Sequence, residues 1–500
     1  MCKVAGNVEF PPQPKCIAQS AQLKTLFQGF FRRMVLRAIA RKDVRFITSL
    51  YYSKRVWPLL TDQRDKESLD EHLMLLTKRA ILEPCEKMVE MLNLTGREIF
   101  SLPRLQLPTK MLPSSHACLQ ASLKKGGAFS LFPKLGCPEK QENVPSLPWR
   151  GQSYLSALNK WRQFTYQRAQ LEISKKDWND LLKVKVQLVK EPGKNRTITL
   201  GDGHLYTAVQ PAQGQMLDAW ARTPYSTMRE DVDSKVQRLL DNSPSDWLWG
   251  SVDYKSATDT IFTWATKSAL KGGENLADYA LLLQSVEEGN ITYPKKDKKS
   301  ETVWLRQTSG QLMGSPLSFP LLCVINLSVY RRAVERWYVD HKDRRDWALI
   351  LWKNVIINGD DLLFRAPPGF NIYFYEEAAK VGFIPSVGKN FLSRSFAQIN
   401  SRAYKLEMHT GKRRMVRMGY MNLVLLQGKV LHQDVVPSFT NSMCESLLEM
   451  TRLCQWSRSC LSACLDRWNL LFYKEVYVFR PYWYLSHRMR EYHLANDLCP

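Results

Sequence analysis

Val355-Ile356-Ile357-Asn358-Gly359-Asp360-Asp361-Leu362-Leu363-Phe364 is the stretch on which the reading of this chain turns. Two apolar, partly β-branched runs flank four turn-forming residues, the pattern of a β-hairpin with two carboxylates at its tip. Gly359 takes positive φ at no steric cost, and Asn358 tolerates it better than most residues. Adjacent aspartates in such a turn repel each other unless positive charge sits beside them, and carboxylates suit hard divalent cations such as Mg²⁺. A solvated surface turn has the same local composition, so the choice between the two depends on what surrounds the hairpin.

The 500-residue length exceeds one ordinary core and predicts roughly two to four subdomains. Hydrophobic residues make up 44% of the chain, enough for a real interior. Lys and Arg number 71 against 48 Asp and Glu, a net charge of +23. That surplus favours a polyanionic partner, nucleic acid first and an anionic membrane surface second. The 11 cysteines are scattered without a Cys-x-x-Cys pair, and the closest group (Cys454, Cys460 and Cys464) has no His at zinc-finger spacing, so reduced thiols are expected. The N-terminus lacks the order of a signal peptide. No run reaches the roughly 20 apolar residues of a membrane span; residues 317–327 come nearest and contain Ser318, Pro320 and Asn326.

Along the chain, Arg32, Arg33, Arg37, Arg41, Lys42 and Arg45 punctuate an apolar pattern through Phe27, Phe30, Phe31, Val35, Leu36 and Ile39, which predicts an amphipathic helix with a cationic face. Such a face suits RNA or lipid contact and equally a solvated surface. Residues 66–100 are helical in pattern, broken at Pro84. Prolines at 103, 108, 113, 133, 138, 145 and 148 predict an extended surface connection. Residues 184–189 and 196–200 form two strands joined by Pro192-Gly193-Lys194-Asn195, and this hairpin gathers Lys185, Lys190, Lys194 and Arg196. Arg grips phosphate oxygens in a fork and Lys acts as a point charge, so the group suits a triphosphate.

A strand over residues 248–253 ends in Asp253, and Thr258 or Asp259 is placed to cap a following helix. A mostly helical insertion is predicted over residues 272–306, with an exposed lysine-rich run at 295–299. Thr308-Ser309-Gly310-Gln311-Leu312-Met313-Gly314-Ser315-Pro316 is a loop of small residues entering an apolar helix from Leu321 to about Trp337. Small residues allow close approach of backbone or ligand. Asn326 on that helix needs a partner if buried, whether another core group or a ribose. A helix over residues 373–381 follows the central hairpin, then Gly388-Lys389, strand-like pieces over 398–406, and Arg413, Arg414 and Arg417. The chain from about Pro437 is helical in pattern.

The order and spacing of these features resemble the palm and fingers motifs of viral RNA-dependent RNA polymerases over roughly residues 184–417. The second Asp falls six positions after Asp253, as in the ourmia-like (botourmiavirus), narnavirus and levivirus lineage of positive-strand RNA viruses. The runs Gln311-Leu312-Met313-Gly314-Ser315-Pro316-Leu317-Ser318-Phe319-Pro320 and Ser386-Val387-Gly388-Lys389-Asn390-Phe391 look like the ourmia-like form. The resemblance implies an α+β right-hand polymerase with an antiparallel palm sheet, helical fingers and a helical thumb. Its expected parts are an N-terminal extension with part of the fingers (1–150), fingers with the basic hairpin (151–250), palm with the first acid (251–272), a fingers insertion (273–306), palm (307–405) and thumb (406–500).

The resemblance further implies template-directed RNA synthesis from ribonucleoside triphosphates. Asp253 and Asp360 would hold two Mg²⁺, with Mn²⁺ a substitute and Asp361 supporting. Asp259 and Asn326, with Ser309 and Gly310, would meet the nucleotide and its 2′-hydroxyl. Lys190, Lys194 and Arg196 would neutralise the triphosphate. Lys389, in competition with Lys380, would be the general acid for pyrophosphate. Single-stranded RNA template and duplex product are the expected partners, beside unidentified host factors. The host cytoplasm is the expected compartment, with mitochondrial relatives known. A reverse transcriptase is the rival enzyme, and the residues at its two characteristic aromatic positions, Asn358 and the Thr258-Asp259 pair, speak against it. A non-catalytic RNA-binding protein is the rival from another class, and the three retained acids speak against that.

Overall fold

The computed structural model describes residues 29–53, 59–101, 113–132, 148–294, 302–386, 388–427 and 441–471. Phe27, Pro103, Pro108, Pro133, Pro138, Pro145, Val387, Pro437 and the lysine-rich run 295–299 lie outside the described residues. The chain divides into two compact units, one of residues 61–189 and 195–390 and the other of residues 1–60, 190–194 and 391–500.

In the larger unit, Pro84 falls between two helices, Asp62–Thr77 and Glu86–Phe100. The basic hairpin forms from β1 (Lys183–Glu191) and β2 (Lys194–Leu200), and its tip, residues 190–194, is counted with the smaller unit. β3 (Leu248–Val252) leads to a short helix, Ala257–Thr260, whose entry has no side-chain cap. The insertion over 272–306 departs from the helical expectation. It keeps one helix, Tyr279–Ser285, and adds β4 (Asn290–Thr292), parallel to β1, and β5 (Leu305–Arg306), antiparallel to β4. Strands of three and two residues are too short to show a period, and their pairing with a distant hairpin is what makes them strands.

β6 (Val355–Asn358) and β7 (Asp361–Ala366) form the central hairpin, and β3 pairs antiparallel with β7 on its other side. Val355, Ile356, Ile357 and Leu363 are fully buried, and Leu362 and Phe364 nearly so. Both faces of the hairpin are therefore covered, which explains continuous apolar runs in place of alternation. The Ser318–Asp340 helix packs on β6 and on the Phe370–Lys380 helix. It is buried on every side from Pro320 to Arg331, as befits an interior helix with no polar stripe. The Glu86–Phe100 and Thr263–Lys271 helices complete this core.

The smaller unit holds β8 (Phe391–Ser393) and an antiparallel sheet of β9 (Phe396–Ile399), β10 (Arg402–His409) and β11 (Lys412–Met418). Ala38 of the Gly29–Ala40 helix and Val44 and Ile47 of the Val44–Tyr52 helix share a core with Phe396, Ala403 and Met418. The cationic helix thus buries one apolar side and leaves Arg32, Arg33, Arg37 and Arg41 exposed. Helices Asn441–Leu453 and Arg458–Leu471 close a second core that takes in Cys454 and Cys464. Among the described residues, no helix is long and apolar enough to cross a membrane.

Candidate active site

Strand register brings the acids together. Val252 pairs with Leu362 across β3 and β7, so the next residue, Asp253, stands level with Asp361. Asp361 pairs with Asn358 across the β6–β7 turn, leaving Gly359 and Asp360 as a two-residue loop. Gly359 has φ +68° and Asp360 does not share the positive sign, the II′ pattern that matches strand twist. A Cβ on Gly359 would lie 3.0 Å from the Phe319 ring.

The loop is held from below by the Ser318–Asp340 helix. The Gly359 N–H donates to Cys323 Sγ at 3.2 Å, and the Gly359 carbonyl accepts from Asn326 Nδ2 at 3.0 Å. Asn326 Oδ1 accepts from the Tyr254 hydroxyl at 2.9 Å. Asn326 is fully buried, so one amide joins the residue after Asp253 to the residue before Asp360. Tyr254 is fixed in turn by stacking on Phe383, with ring centres 4.1 Å apart.

Asp253 is met by Ser386, Lys389 and Asn390. Its N–H donates to Asn390 Oδ1 at 2.5 Å and its carbonyl accepts from the Ser386 N–H at 2.9 Å. Lys389 Nζ stands 3.2 Å from both carboxylate oxygens of Asp253. Lys380 is engaged elsewhere, donating at 2.6 Å to Glu377, which is fully buried and also paired with Arg336. Desolvation raises the Asp360 carboxyl above its usual range even though part of its surface stays open. The facing Asp253 carboxylate raises it further, while its own backbone N–H, Lys389 and Arg196 pull it down. Asp253, Asp360, Lys389 and Arg196 therefore share one electrostatic site, with Asp361 beside it.

The donor chemistry fits a hard divalent cation. Two carboxylates that repel each other present oxygen ligands, and a cation between them would relieve the repulsion. Among the described residues, no three acid, His or Cys side chains converge on one point, and the charge facing Asp253 is the Lys389 ammonium.

The second cluster lies around Asp259, whose carboxyl is pushed up to about 7 by burial, against a lowering contact from the Thr258 hydroxyl. The Gln311 N–H donates to the Thr258 carbonyl at 2.7 Å and the Gly310 N–H to Ile261 at 2.8 Å, docking the small-residue loop on this segment. Gly310, at φ +90°, sits against Asp259, and a Cβ there would overlap Leu76. The Ser309 hydroxyl donates to the Ile261 carbonyl at 3.2 Å, and Ser309 is fully buried. Ser309, Gly310 and Asp259 are thus adjacent, whereas Asn326 is committed to Tyr254 and Gly359. Lys190 and Lys194 belong to the smaller unit, where Lys194 pairs with Glu191 at 3.2 Å.

Tyr254, Asn390, Cys323 and Arg79 were not singled out from the sequence. Arg79 donates to the carbonyls of Thr260 and Gly382, the latter at 2.9 Å, tying the Asp259 segment to the end of the Phe370–Lys380 helix. Asn390 follows Lys389 directly, so its neighbourhood was a signal; a tyrosine or arginine reaching across the core has none in a single sequence.

No protein-family model matches the chain. Over 416 residues it is 28% identical to the RNA-dependent RNA polymerase of Ourmia melon virus (isolate Melon/Iran/VE9), covering 75% of this chain and 46% of that protein. The chain spans about half the length of the relative it matches. Among solved structures it is similar to an insertion-loop deletion mutant of the RNA-dependent RNA polymerase of a human picobirnavirus. The TM-score is 0.56 at 11% identity, over 99% of this chain and 93% of that one. The α+β right-hand polymerase fold expected from the motifs is the fold of this chain.

Proposed function

We propose that this chain, a relative of viral RNA-dependent RNA polymerases, copies an RNA template from ribonucleoside triphosphates and so replicates a positive-strand RNA genome. The observation that supports this most is the meeting of Asp253, Asp360 and Asp361 at one end of the β3-β7-β6 sheet, beside Lys389 and Arg196.

Asp253 and Asp360 would hold two Mg²⁺, or Mn²⁺ in their place, with Asp361 supporting. When bound, such ions lower the pKa of the attacking 3′-hydroxyl and neutralise the leaving pyrophosphate. Arg196 offers the triphosphate a charged fork. Lys389, already against Asp253, is the residue best placed to give a proton to the pyrophosphate; Lys380 is held by Glu377. Asp259, backed by Ser309 and Gly310, distinguishes the sugar. Asn326 acts on the turn it braces, and through that turn on Asp360. The RNA backbone is bound by sequence-independent contacts that use the surplus of +23. Host cytoplasm is the compartment we propose, on the lineage alone.

The test is incubation of the purified protein with single-stranded RNA, Mg²⁺ and labelled ribonucleotides or deoxyribonucleotides. Ribonucleotide incorporation, lost on Asp253→Asn or on chelation while RNA binding persists, is the expected result. Equal incorporation by wild type and Asp253→Asn overturns the assignment of the acids. Tight, salt-sensitive RNA binding with no synthesis overturns the polymerase reading.

A further inference from the structure

We infer that His72 and Tyr293 are positioning residues for sugar selection, orienting Asp259 so that it accepts the ribose 2′-hydroxyl. The inference rests on the polymerase reading and deepens it, because it adds to the sugar-discriminating site a helix far away in sequence.

The Asp62–Thr77 helix and the residues after it address this region at three points, each about one turn apart. The Leu76 carbonyl accepts from the Thr308 N–H at 2.8 Å and the Ser309 N–H at 3.3 Å. Arg79 donates to the Thr260 carbonyl. One turn before Leu76, His72 Nε2 faces Asp259 Oδ1 at 3.8 Å. The side chains of His72 and Asp259 are only 2% and 9% exposed. His72 Nδ1 lies 2.9 Å from the Tyr293 hydroxyl, and the two rings meet edge to face with centres 5.7 Å apart.

His72 Nε2 is buried and makes no hydrogen bond among the described residues. A buried ring nitrogen without a partner is costly, and 3.8 Å is one small side-chain rotation from a hydrogen bond. Burial pulls the His72 imidazole down to about 4, so the ring is uncharged at neutral pH. Among the described residues, His72 from this helix and Tyr293 beyond β4 are the titratable groups facing Asp259, and Thr258 contributes a hydroxyl from its own segment.

These facts define what the pair does. With the Tyr293 hydroxyl donating to Nδ1, the His72 proton sits on Nε2 and points at Asp259. That donor fixes one carboxylate oxygen and leaves the other free to accept a 2′-hydroxyl. A deoxyribose leaves this oxygen buried without a donor, which is how a hydrogen-bonding site rejects an analogue lacking the hydroxyl. Without His72, or with His72 in the wrong tautomer, the carboxylate rotates freely and its bond to the 2′-hydroxyl weakens, while a deoxyribose, which makes no such bond, is unaffected.

The experiment uses the full chain with His72→Phe, His72→Gln and Tyr293→Phe, and compares kcat/KM for a ribonucleotide and its 2′-deoxy counterpart on one RNA template with Mg²⁺. The expected result for His72→Phe and Tyr293→Phe is a loss of about tenfold in ribose preference, the size of one hydrogen bond. The loss falls on the ribonucleotide KM, with deoxyribonucleotide kcat/KM unchanged. His72→Gln, which restores an N–H, recovers most of the preference. In an Asp259→Asn background, His72→Phe changes the ratio no further. Tyr293→Phe keeps the ring volume, so it remains informative if His72→Phe fails to fold. An unchanged ratio in Tyr293→Phe, or an equal fall for both sugars, overturns the inference while leaving the polymerase reading intact. A wild-type protein that incorporates neither sugar overturns both.

Discussion

Replacing Asn326 by leucine removes the amide that joins Tyr254 to Gly359, and its cost follows from the two bonds it breaks. Both are buried: Asn326 is 0% exposed and Tyr254 3%. Leucine has a similar volume, so no large cavity opens. What remains is a tyrosine hydroxyl and a backbone carbonyl without partners, at about 1–3 kcal/mol each. The expected loss is about 2–6 kcal/mol, a large part of the stability of an ordinary domain. Tyr254→Phe breaks only the bond at 2.9 Å and should cost about 1–3 kcal/mol. The double variant should cost less than the sum by about 1–2 kcal/mol, because a phenylalanine no longer needs the amide. Urea denaturation followed by the fluorescence of the buried Trp220, Trp247, Trp249 and Trp337 reads all three. Turnover should fall equally for ribonucleotides and deoxyribonucleotides, since the turn carrying Asp360 loses its brace. An Asn326→Leu protein of unchanged stability that loses only its ribose preference would refute the brace and put Asn326 on the sugar.

Three further outcomes are expected. Lys389→Ala should lower single-turnover nucleotide addition by about 10²–10⁴-fold, the range of a general acid, whereas Lys380→Ala should act on stability by leaving the buried Glu377 with Arg336 as its remaining cation; a larger rate loss for Lys380→Ala reverses the assignment. Asp259 sits at about 7 in the folded chain and 3.8 unfolded, so its contribution is full below 3.8 and lost as pH rises through 7, on the order of 4 kcal/mol in all. His72, at about 4 folded and 6.5 unfolded, contributes above 6.5 and loses that as pH falls to 4. The two slopes oppose each other between these limits, so Asp259→Asn should convert a flat urea-midpoint profile over pH 4–6.5 into one rising with pH; a profile that stays flat removes the buried pair from the account. Replacing exposed Arg33 and Arg37 by glutamine should reduce the slope of log affinity against log salt on single-stranded RNA by about 1.4, and an unchanged slope assigns that helix to another role.

What the sequence made legible follows from how each element is buried. β3, β6 and β7 stand out as short apolar runs because the hairpin is covered on both faces, and Gly359 marks the turn because its φ of +68° excludes most other residues. Asp253, Asp360 and Asp361 could be placed at one strand end because strand ends and turn tips leave acids facing solvent or a ligand. Lys389 was legible only through its resemblance, since nothing local says that Ser386, Lys389 and Asn390 return to Asp253. β4 and β5 were lost in a helical expectation, because their short length hides any period and β1, the strand on which β4 pairs, lies about a hundred residues earlier.

The contacts that escaped share one property: their two ends are distant in the chain and close in space. Asn326 reaches Gly359, Tyr254 reaches Asn326, and His72 reaches Asp259 across 187 positions that carry no periodic trace of the contact. The acids at strand ends and turn tips and the groups that orient them therefore obey different rules. An acid at a turn is conspicuous because a turn has few uses for two negative charges. Its brace is an ordinary amide on an apolar helix, visible only when the helix has been packed beneath the turn. That division explains why ten residues of sequence sufficed to place Asp360 at a hairpin tip, while the bond that holds its turn required the Ser318–Asp340 helix to be in place.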